Sequence, residues 1–271
     1  MEQMTKYLYK ISSLNYSLQE KQILNNIQLV LPEGKFIGLI GPNGSGKSTL
    51  LKLLYRYIKP QNGQVWLREK DVWEIGEKQF AKEVAVVTQE SSVAFDFTVK
   101  ELVFMGRTPH KKLLKRDSKS DEEIVEDAMK KADVLHLANR NYSSLSGGEK
   151  KRVIVARALA QQTDVLILDE PTNHLDIEHQ FALLDLLSEC SMTVIMAIHD
   201  LNLAATYCDK LLLLQKGKLC AFGSPEEVLT VEQLKHVFNV DVEIMTNPFT
   251  NKPYLQFVSK KYKEKGKVNE S

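Results

Sequence analysis

Several features that would place a chain in a class at once are scarce here. Three cysteines, Cys190, Cys208 and Cys220, are scattered through 271 residues without paired spacing. That tells against a zinc site or a disulfide framework and fits a reducing compartment. Long apolar runs are missing. Val165–Leu168 and Leu211–Leu214 are four-residue runs, whereas crossing a bilayer takes about 20 residues. Met1 to Ser13 lacks the apolar stretch of a secretory signal. The expectation is a soluble chain that can still dock on a membrane protein. Excess charge is also missing: 36 basic residues face 35 acidic ones, a net charge of +1. Nothing therefore draws the chain as a whole toward nucleic acid or anionic lipid. No internal repeat and no sustained heptad pattern is visible. What remains is ordinary globular composition, 43% hydrophobic and 26% charged, at a length that suits one large domain or a core with a subdomain.

Glycine is not abundant, at 13 residues, but three glycines fall within Gly41-Pro42-Asn43-Gly44-Ser45-Gly46-Lys47-Ser48. The apolar run Phe36–Ile40 before this loop predicts a strand, and Thr49–Tyr55 after it predicts a helix. Strand, glycine loop and helix in that order form a phosphate cradle. Backbone N–H groups from Asn43 to Thr49 turn inward, Lys47 reaches the β- and γ-phosphates, and the Ser48 hydroxyl ligates Mg²⁺. A plain glycine turn is the competing reading, and the full eight-residue pattern in this setting tells against it.

A second anion-binding pattern stands about a hundred residues on. In Leu145-Ser146-Gly147-Gly148-Glu149, a serine and two glycines precede a helix-like run, Lys150 to Gln161. A helix start offers unpaired N–H groups and the positive end of a dipole. Val165–Leu168 then reads as a buried strand with two carboxylates at its C-terminal end, Asp169 and Glu170, where ligands bind in open α/β sheets. Asp169 would hold Mg²⁺ through water, and Glu170 would act as general base on the attacking water. Thr193–Ile198 is a further buried strand, closed by His199, and helix-like Ile177–Leu187 lies between the two. This alternation argues for a parallel sheet. Gln89 follows the strand Val84–Val87, and its amide oxygen could ligate Mg²⁺ or the attacking water. Ile27–Leu31 alternates and ends in a turn signal, Pro32-Glu33-Gly34, so the beginning of the chain reads as β-rich. The charged, helix-prone stretch from Glu90 to Asn141, with Asp121–Ala132 as its clearest amphipathic helix, reads as an insertion into an α/β core.

In this order the motifs resemble those of the ATP-binding cassette (ABC) ATPases. Gly41–Ser48 matches Walker A, Gln89 the Q-loop, Leu145–Glu149 the signature, Leu166–Glu170 Walker B, Asn173-His174-Leu175-Asp176 the D-loop, and His199 the switch histidine. The resemblance covers roughly residues 7 to 237. Tyr16 fits the aromatic that stacks on adenine, with Tyr7 and Tyr9 nearby. Glu149 stands where the family usually has glutamine. The resemblance implies an α/β P-loop (RecA-like) ATPase core with an N-terminal antiparallel β-subdomain and an inserted helical subdomain. On that plan, residues 1–89 are the first part of the core and 90–158 the helical subdomain with the signature. Residues 159–240 are the second part of the core, and 241–271 a C-terminal appendix whose end, from Lys260, is polar and basic.

The same resemblance implies ATP and Mg²⁺ as cofactors, with ATP held by Tyr16 and by Gly41, Pro42, Asn43, Gly44, Ser45, Gly46, Lys47, Ser48 and Thr49. Mg²⁺ would be held by Ser48, Gln89 and Asp169, and catalysis carried by Glu170, His199 and Gln89. It implies a head-to-tail dimer in which Ser146, Gly147, Gly148 and Glu149 cap the ATP of the other copy and Asp176 aligns the halves. Lys150, Lys151 and Arg152 are then either a solvated basic face or cations attracted to the partner's nucleotide.

Finer features resemble the ATPase subunits of bacterial importers for iron-siderophores, haem and vitamin B12: Gly106-Arg107-Thr108-Pro109-His110, Pro171-Thr172-Asn173-His174-Leu175-Asp176 and Asp200-Leu201-Asn202-Leu203-Ala204. That implies a membrane permease dimer, indirectly a substrate-binding protein, no nucleic acid, and a peripheral place on the cytoplasmic face of the membrane. Phe95, Asp96 and Phe97 would belong either to a groove for the permease or to the core. The alternatives are a transporter ATPase for another cargo (metal import or drug export), a cassette acting on DNA or ribosomes, and a non-catalytic regulatory cassette.

Overall fold

The computed structural model of the chain describes residues 7–88, 97–111, 118–173 and 175–259. Gln89, Phe95, Asp96, His174 and the basic tail from Lys260 lie outside these residues. The chain begins β1 (Tyr7–Leu18), β2 (Lys21–Pro32), β3 (Phe36–Ile40), α1 (Lys47–Leu54), β4 (Asn62–Leu67), β5 (Lys70–Asp71), α2 (Glu77–Glu83) and β6 (Val84–Val87). It continues with α3 (Val99–Phe104), a 3₁₀ turn (Met105–His110), α4 (Lys119–Lys131), α5 (Gly147–Ala160), β7 (Val165–Asp169), α6 (Ile177–Ser188) and β8 (Thr193–Ala197). Last come α7 (Leu201–Tyr207), β9 (Lys210–Gln215), β10 (Lys218–Gly223), α8 (Pro225–Val228), α9 (Val231–Phe238), β11 (Asp241–Thr246) and β12 (Pro253–Val258). Two compact units result: residues 1–68 with 197–271, and residues 69–196.

In the first unit β1 lies between β2 and β4, antiparallel to both. The alternation expected in Ile27–Leu31 is real. Ile27, Leu29 and Leu31 are buried and paired with Leu14, Ile11 and Tyr9 of β1. Such period-two patterning fixes the register, because a one-residue slip would turn the apolar set outward. Beside this sheet, β9 pairs antiparallel with β10 and parallel with β3. β3 and the core of β9 are apolar along their whole length, as strands covered on both faces are.

The C-terminal segment has a defined structure. β11 and β12 form an antiparallel hairpin running from Asp241↔Val258 to Thr246↔Pro253. It is tied to α7 by the Asn202 side chain, whose amide donates to the Leu255 carbonyl (3.1 Å) and accepts the Leu255 N–H (2.7 Å). Lys252 adds a bond from Nζ to the Thr206 carbonyl at 2.8 Å.

In the second unit β8, β7 and β6 are neighbours in that order, with β6 and β7 parallel from Val84↔Val165 to Val87↔Leu168. The helices α3, α4 and α5 pack together here. The Gly106–His110 segment explains how. A Cβ on Gly106 would lie 2.2 Å from the Arg157 carbonyl oxygen and 3.2 Å from the Ala160 Cβ, so only glycine allows the turn to lie against α5. Arg107, buried, donates to the Ala160 carbonyl (2.8 Å), to the Gln162 side chain (3.0 Å) and to Asp121 (2.9 Å). His110 Nε2 is 2.7 Å from the Gln161 carbonyl. The last carbonyls of α5 have no intrahelical partners, and this segment supplies donors and a positive charge at the helix's negative end.

Gly106→Ala should therefore destabilise the protein by about 1–3 kcal/mol, as overpacking against fixed backbone does. A melting temperature within a degree of wild type would show that the two segments can separate without cost.

Candidate functional site

Tyr16, Gly41–Thr49 and His199 belong to the first unit, and Ser146–Glu149, Asp169, Glu170 and Asp176 to the second.

The glycine loop joins β3 to α1 as expected, and its shape is set from outside. Gly41 and Gly46 have φ of 148° and 105°. A Cβ on Gly41 would lie 2.2 Å from the Leu214 carbonyl oxygen, and one on Gly46 would lie 2.7 Å from Leu24 Cδ2. The Ser45 carbonyl accepts the Gly217 N–H at 3.0 Å, and the Gly217 carbonyl accepts the Asn25 N–H at 2.8 Å. Strand β2 and the β9–β10 turn thus clamp the loop. Gly44, by contrast, has open space around it, and Asn43 and Gly44 are exposed.

Helix α1 begins at Lys47 with Gly46 as its N-cap and no side-chain cap. Lys47 is buried, with Nζ donating to the carbonyls of Gly41 (2.9 Å) and Pro42 (3.3 Å). The Ser45 hydroxyl is buried without a hydrogen-bond partner. An orphaned donor, a buried cation and an uncapped helix start fit a polyphosphate.

Tyr16 is half-buried on β1 and pairs with Leu24, the residue that packs on Gly46. Tyr9 is fully buried and donates its hydroxyl to the Leu54 carbonyl at 3.2 Å, so its role is packing. His199 is exposed just beyond β8, and the N–H of Ile198 before it bonds the Leu39 carbonyl of β3 at 3.1 Å. That bond sets the histidine beside the strand that feeds the glycine loop. Asp200 caps α7, accepting the N–H groups of Asn202 (2.8 Å) and Leu203 (3.0 Å).

In the second unit the structure corrects one expectation. The helix does not begin after the two glycines. α5 starts at Gly147, and Ser146 is its N-cap. The Ser146 hydroxyl accepts the Glu149 N–H (3.3 Å), and the Glu149 carboxylate accepts the Ser146 N–H (2.8 Å), a complete capping box. This gives Glu149 its purpose. Its carboxyl is held below the ordinary glutamate range, first by the Ser146 N–H and then by the Ser146 hydroxyl, with Arg140 and Arg152 adding smaller effects.

Nor do the next three residues form a freely solvated face. Lys150 lies 5.8 Å from the Tyr142 ring centroid. Lys151 is half-buried, and desolvation lowers its pKa while the charge of Asp169 acts the other way. The Nε of Arg152 is buried with no hydrogen-bond partner.

β7 ends in buried Asp169, and Glu170 follows in a left-handed backbone conformation, φ 52°. Non-glycine residues rarely adopt it, and such strain concentrates at functional sites. Asn173 Nδ2 donates to Glu170 Oε2 at 2.7 Å, a partner that the sequence pattern marks only as part of the D-loop. Asp176 caps α6 through its carboxylate, which accepts the His179 N–H at 2.9 Å. The Ser48 hydroxyl in the first unit and the Asp169 carboxylate in the second are each a hard oxygen donor of the kind that Mg²⁺ accepts.

An α/β fold with an antiparallel sheet, a mixed sheet and a clamped phosphate loop defines a P-loop ATPase. The family profile of ABC transporters matches residues 24–173, and the chain belongs to that family. ATP binding and ATP hydrolysis coupled to transport come with it. The chain is similar to the petrobactin import ATP-binding protein of Bacillus anthracis, 41% identical over 96% of this chain and 95% of that protein. The hemin import ATP-binding protein of Pseudomonas putida is 40% identical over 92% of this chain and 99% of that one. Among solved structures, an ABC transporter in an inward-facing conformation aligns with TM-score 0.81 at 27% identity, covering 94% of this chain and 99% of that one. The structure of cbiO1 from Clostridium perfringens, part of the ABC transporter complex cbiONQ, aligns with TM-score 0.74 at 28% identity, over 85% and 94%.

The Glu149 capping box has a pH signature. A carboxyl whose pKa is lowered on folding stabilises above its unfolded value and loses that contribution as pH falls through its folded value. Glu149→Gln keeps the box without titrating. The stability of wild type relative to Glu149→Gln should be constant above the ordinary glutamate value of 4.5 and decline below it. Urea unfolding at a series of pH values reads this, and a difference that does not change on acidification would contradict it.

Proposed function

We propose that the chain is the ATP-hydrolysing subunit of an importer for an iron-siderophore, haem or cobalamin-type cargo. The observation that carries this reading is the set of relatives: import ATP-binding proteins for petrobactin, hemin, ferric enterobactin, iron(3+)-hydroxamate and cobalamin, at 39–41% identity across 86–96% of this chain. A separate membrane permease dimer would carry the cargo, supplied by a substrate-binding protein, with this subunit peripheral on the cytoplasmic face. In support, no helix among the described residues is long and apolar enough to cross a membrane. The helical segment within 90–158 would pass movement to the permease.

On this reading Lys47 leaves the Gly41 and Pro42 carbonyls for the β- and γ-phosphates of ATP, and the Ser45 hydroxyl finds the acceptor it lacks. Tyr16 stacks on the adenine. Ser48, Asp169 and Gln89 would hold Mg²⁺, which when bound neutralises charge on the phosphate oxygens. Glu170, its carboxylate oriented by Asn173, takes a proton from the attacking water, and His199 contacts the γ-phosphate.

Two copies pair head to tail, each covering the other's ATP with Ser146, Gly147 and Gly148. The capping geometry leaves this open. The Ser146 oxygen accepts from its own helix and its hydroxyl proton is directed to the Glu149 carboxylate, so donating to a phosphate oxygen means turning that proton from Glu149 to the nucleotide. Glu149 brings a negative charge near the anion, offset by Arg140 at 4.0 Å and by Lys150, Lys151 and Arg152.

Glu170→Gln should bind ATP, form a stable ATP-dependent dimer and lose at least 100-fold of turnover, roughly the contribution of a general base. Steady-state phosphate release measures this, and near-normal hydrolysis would remove Glu170 from the general-base role.

A further inference from the structure

His179 has no part in the motifs discussed so far, yet it stands where two of them meet. A single carboxylate oxygen of Asp176 both accepts the His179 N–H at 2.9 Å and lies 2.5 Å from His179 Nδ1. The cap and the ring contact together fix how the imidazole is turned. On its other side, the ring carbons Cγ and Cδ2 lie 3.6 Å from where a Cβ on Gly148 would stand, so the ring faces the open side of Gly148 in the first turn of α5. Arg152, one turn further along α5, lines a cavity of about 220 Å³ with His179, Glu178, Lys131 and Asp133. The charge of Arg152 also contributes to keeping the Asp176 carboxyl below its ordinary range, after the larger effects of the His179 backbone and side chain.

We propose that His179 is a positioning residue that links the signature turn at Gly148 to the D-loop at Asp176. The proposal rests on the head-to-tail reading above and deepens it. In that reading Gly147 and Gly148 meet the partner's nucleotide, and Asp176 aligns the two halves. A shift of the first turn of α5 presses on the imidazole, and the imidazole is bonded to the aligning carboxylate. Capture of the partner's ATP and alignment of the halves are thereby one event. The ring lies within ordinary contact distance of a Cβ built at 148, so it packs against this turn. A donor at 179 holds Asp176 in a single orientation.

The test uses the full chain with four substitutions: His179→Ala, His179→Asn, Asp176→Ala and the His179→Ala/Asp176→Ala double variant. His179→Ala should lower kcat about tenfold, a coupling of ordinary size. Binding of a fluorescent ATP analogue by the monomer, and the melting temperature, should stay near wild type. His179→Asn, which keeps a donor toward Asp176, should recover most of the turnover. The double variant should be no slower than Asp176→Ala alone, because both act through one link.

Turnover of His179→Ala within twofold of wild type would overturn the proposal. So would losses that multiply in the double variant, or a loss matched by weaker monomer binding or a lower melting temperature. Glu170→Gln, with and without His179→Ala, separates the two levels of the argument. If Glu170→Gln alone does not dimerise with ATP, the head-to-tail reading fails and takes this proposal with it. If it dimerises, and His179→Ala changes neither dimerisation nor turnover, only the role of His179 fails.

Discussion

The start of an α-helix leaves backbone N–H groups with no partner inside the helix, and this chain treats that constraint in two ways. From α3 onward every helix among the described residues begins with a side-chain cap: Thr98, Ser118, Ser146, Asp176, Asp200, Ser224 and Thr230. Helices α1 and α2 do not: the N-cap of α2 is Gly76 in a conformation open to any residue, and that of α1 is Gly46 in a left-handed one. Substituting serine or aspartate there would strain the backbone and press on Leu24. The surrounding structure, β2 on one side and the β9–β10 turn on the other, holds the loop in this shape. The end of α1 left without a side-chain cap is the end that faces the phosphate loop. A phosphate chain is a ligand whose chemistry suits such an end.

Seen this way, the signature is the counterpart of the phosphate loop and not a copy of it. Ser146 already satisfies its own helix through Glu149, so the motif needs no ligand in order to fold. Its glycines are exposed or half-exposed in the first turn of a finished helix. A motif that is complete in itself yet presents a hydroxyl and bare backbone suits capture of a phosphate brought by another copy. The same logic runs through Asp176 and Asp200, whose places in the sequence pattern are explained locally by the α6 and α7 caps. The C-terminal hairpin bonds to Asn202, in the first turn of α7 just after His199, and so braces the segment that carries this histidine.

Much of this was legible in the sequence, because its signals were short-range. Phe36–Ile40 and Val84–Val87 are strands over the very residues that composition marks, since a run of buried apolar side chains bounded by glycine or charge has few other uses. The two glycines point to a loop, whereas α5 begins at the first of them. The serine at 146 and the glutamate three residues later were a capping-box signal that could have moved the boundary. Other features were out of reach. The left-handed Glu170 and its bond from Asn173 depend on how the chain turns after β7. Arg107 reaches Ala160 and Gln162 across more than fifty residues, and only the packing of the turn on α5 reveals it. The hairpin at the end of the chain carries mixed polar and apolar residues, so its pairing lacked a clear alternating signal.

In the head-to-tail arrangement proposed above, the phosphate loop and the signature of one chain serve different ATP molecules. The most direct measurement mixes two inactive variants, Lys47→Ala and Ser146→Arg, under conditions that allow subunits to exchange. Each variant alone lacks one half of both sites. The mixed dimer contains one site with both halves intact, and ATP hydrolysis should return in the mixture in proportion to the mixed dimer formed. If the two variants exchange subunits and hydrolysis stays at the level of either alone, the claim is contradicted.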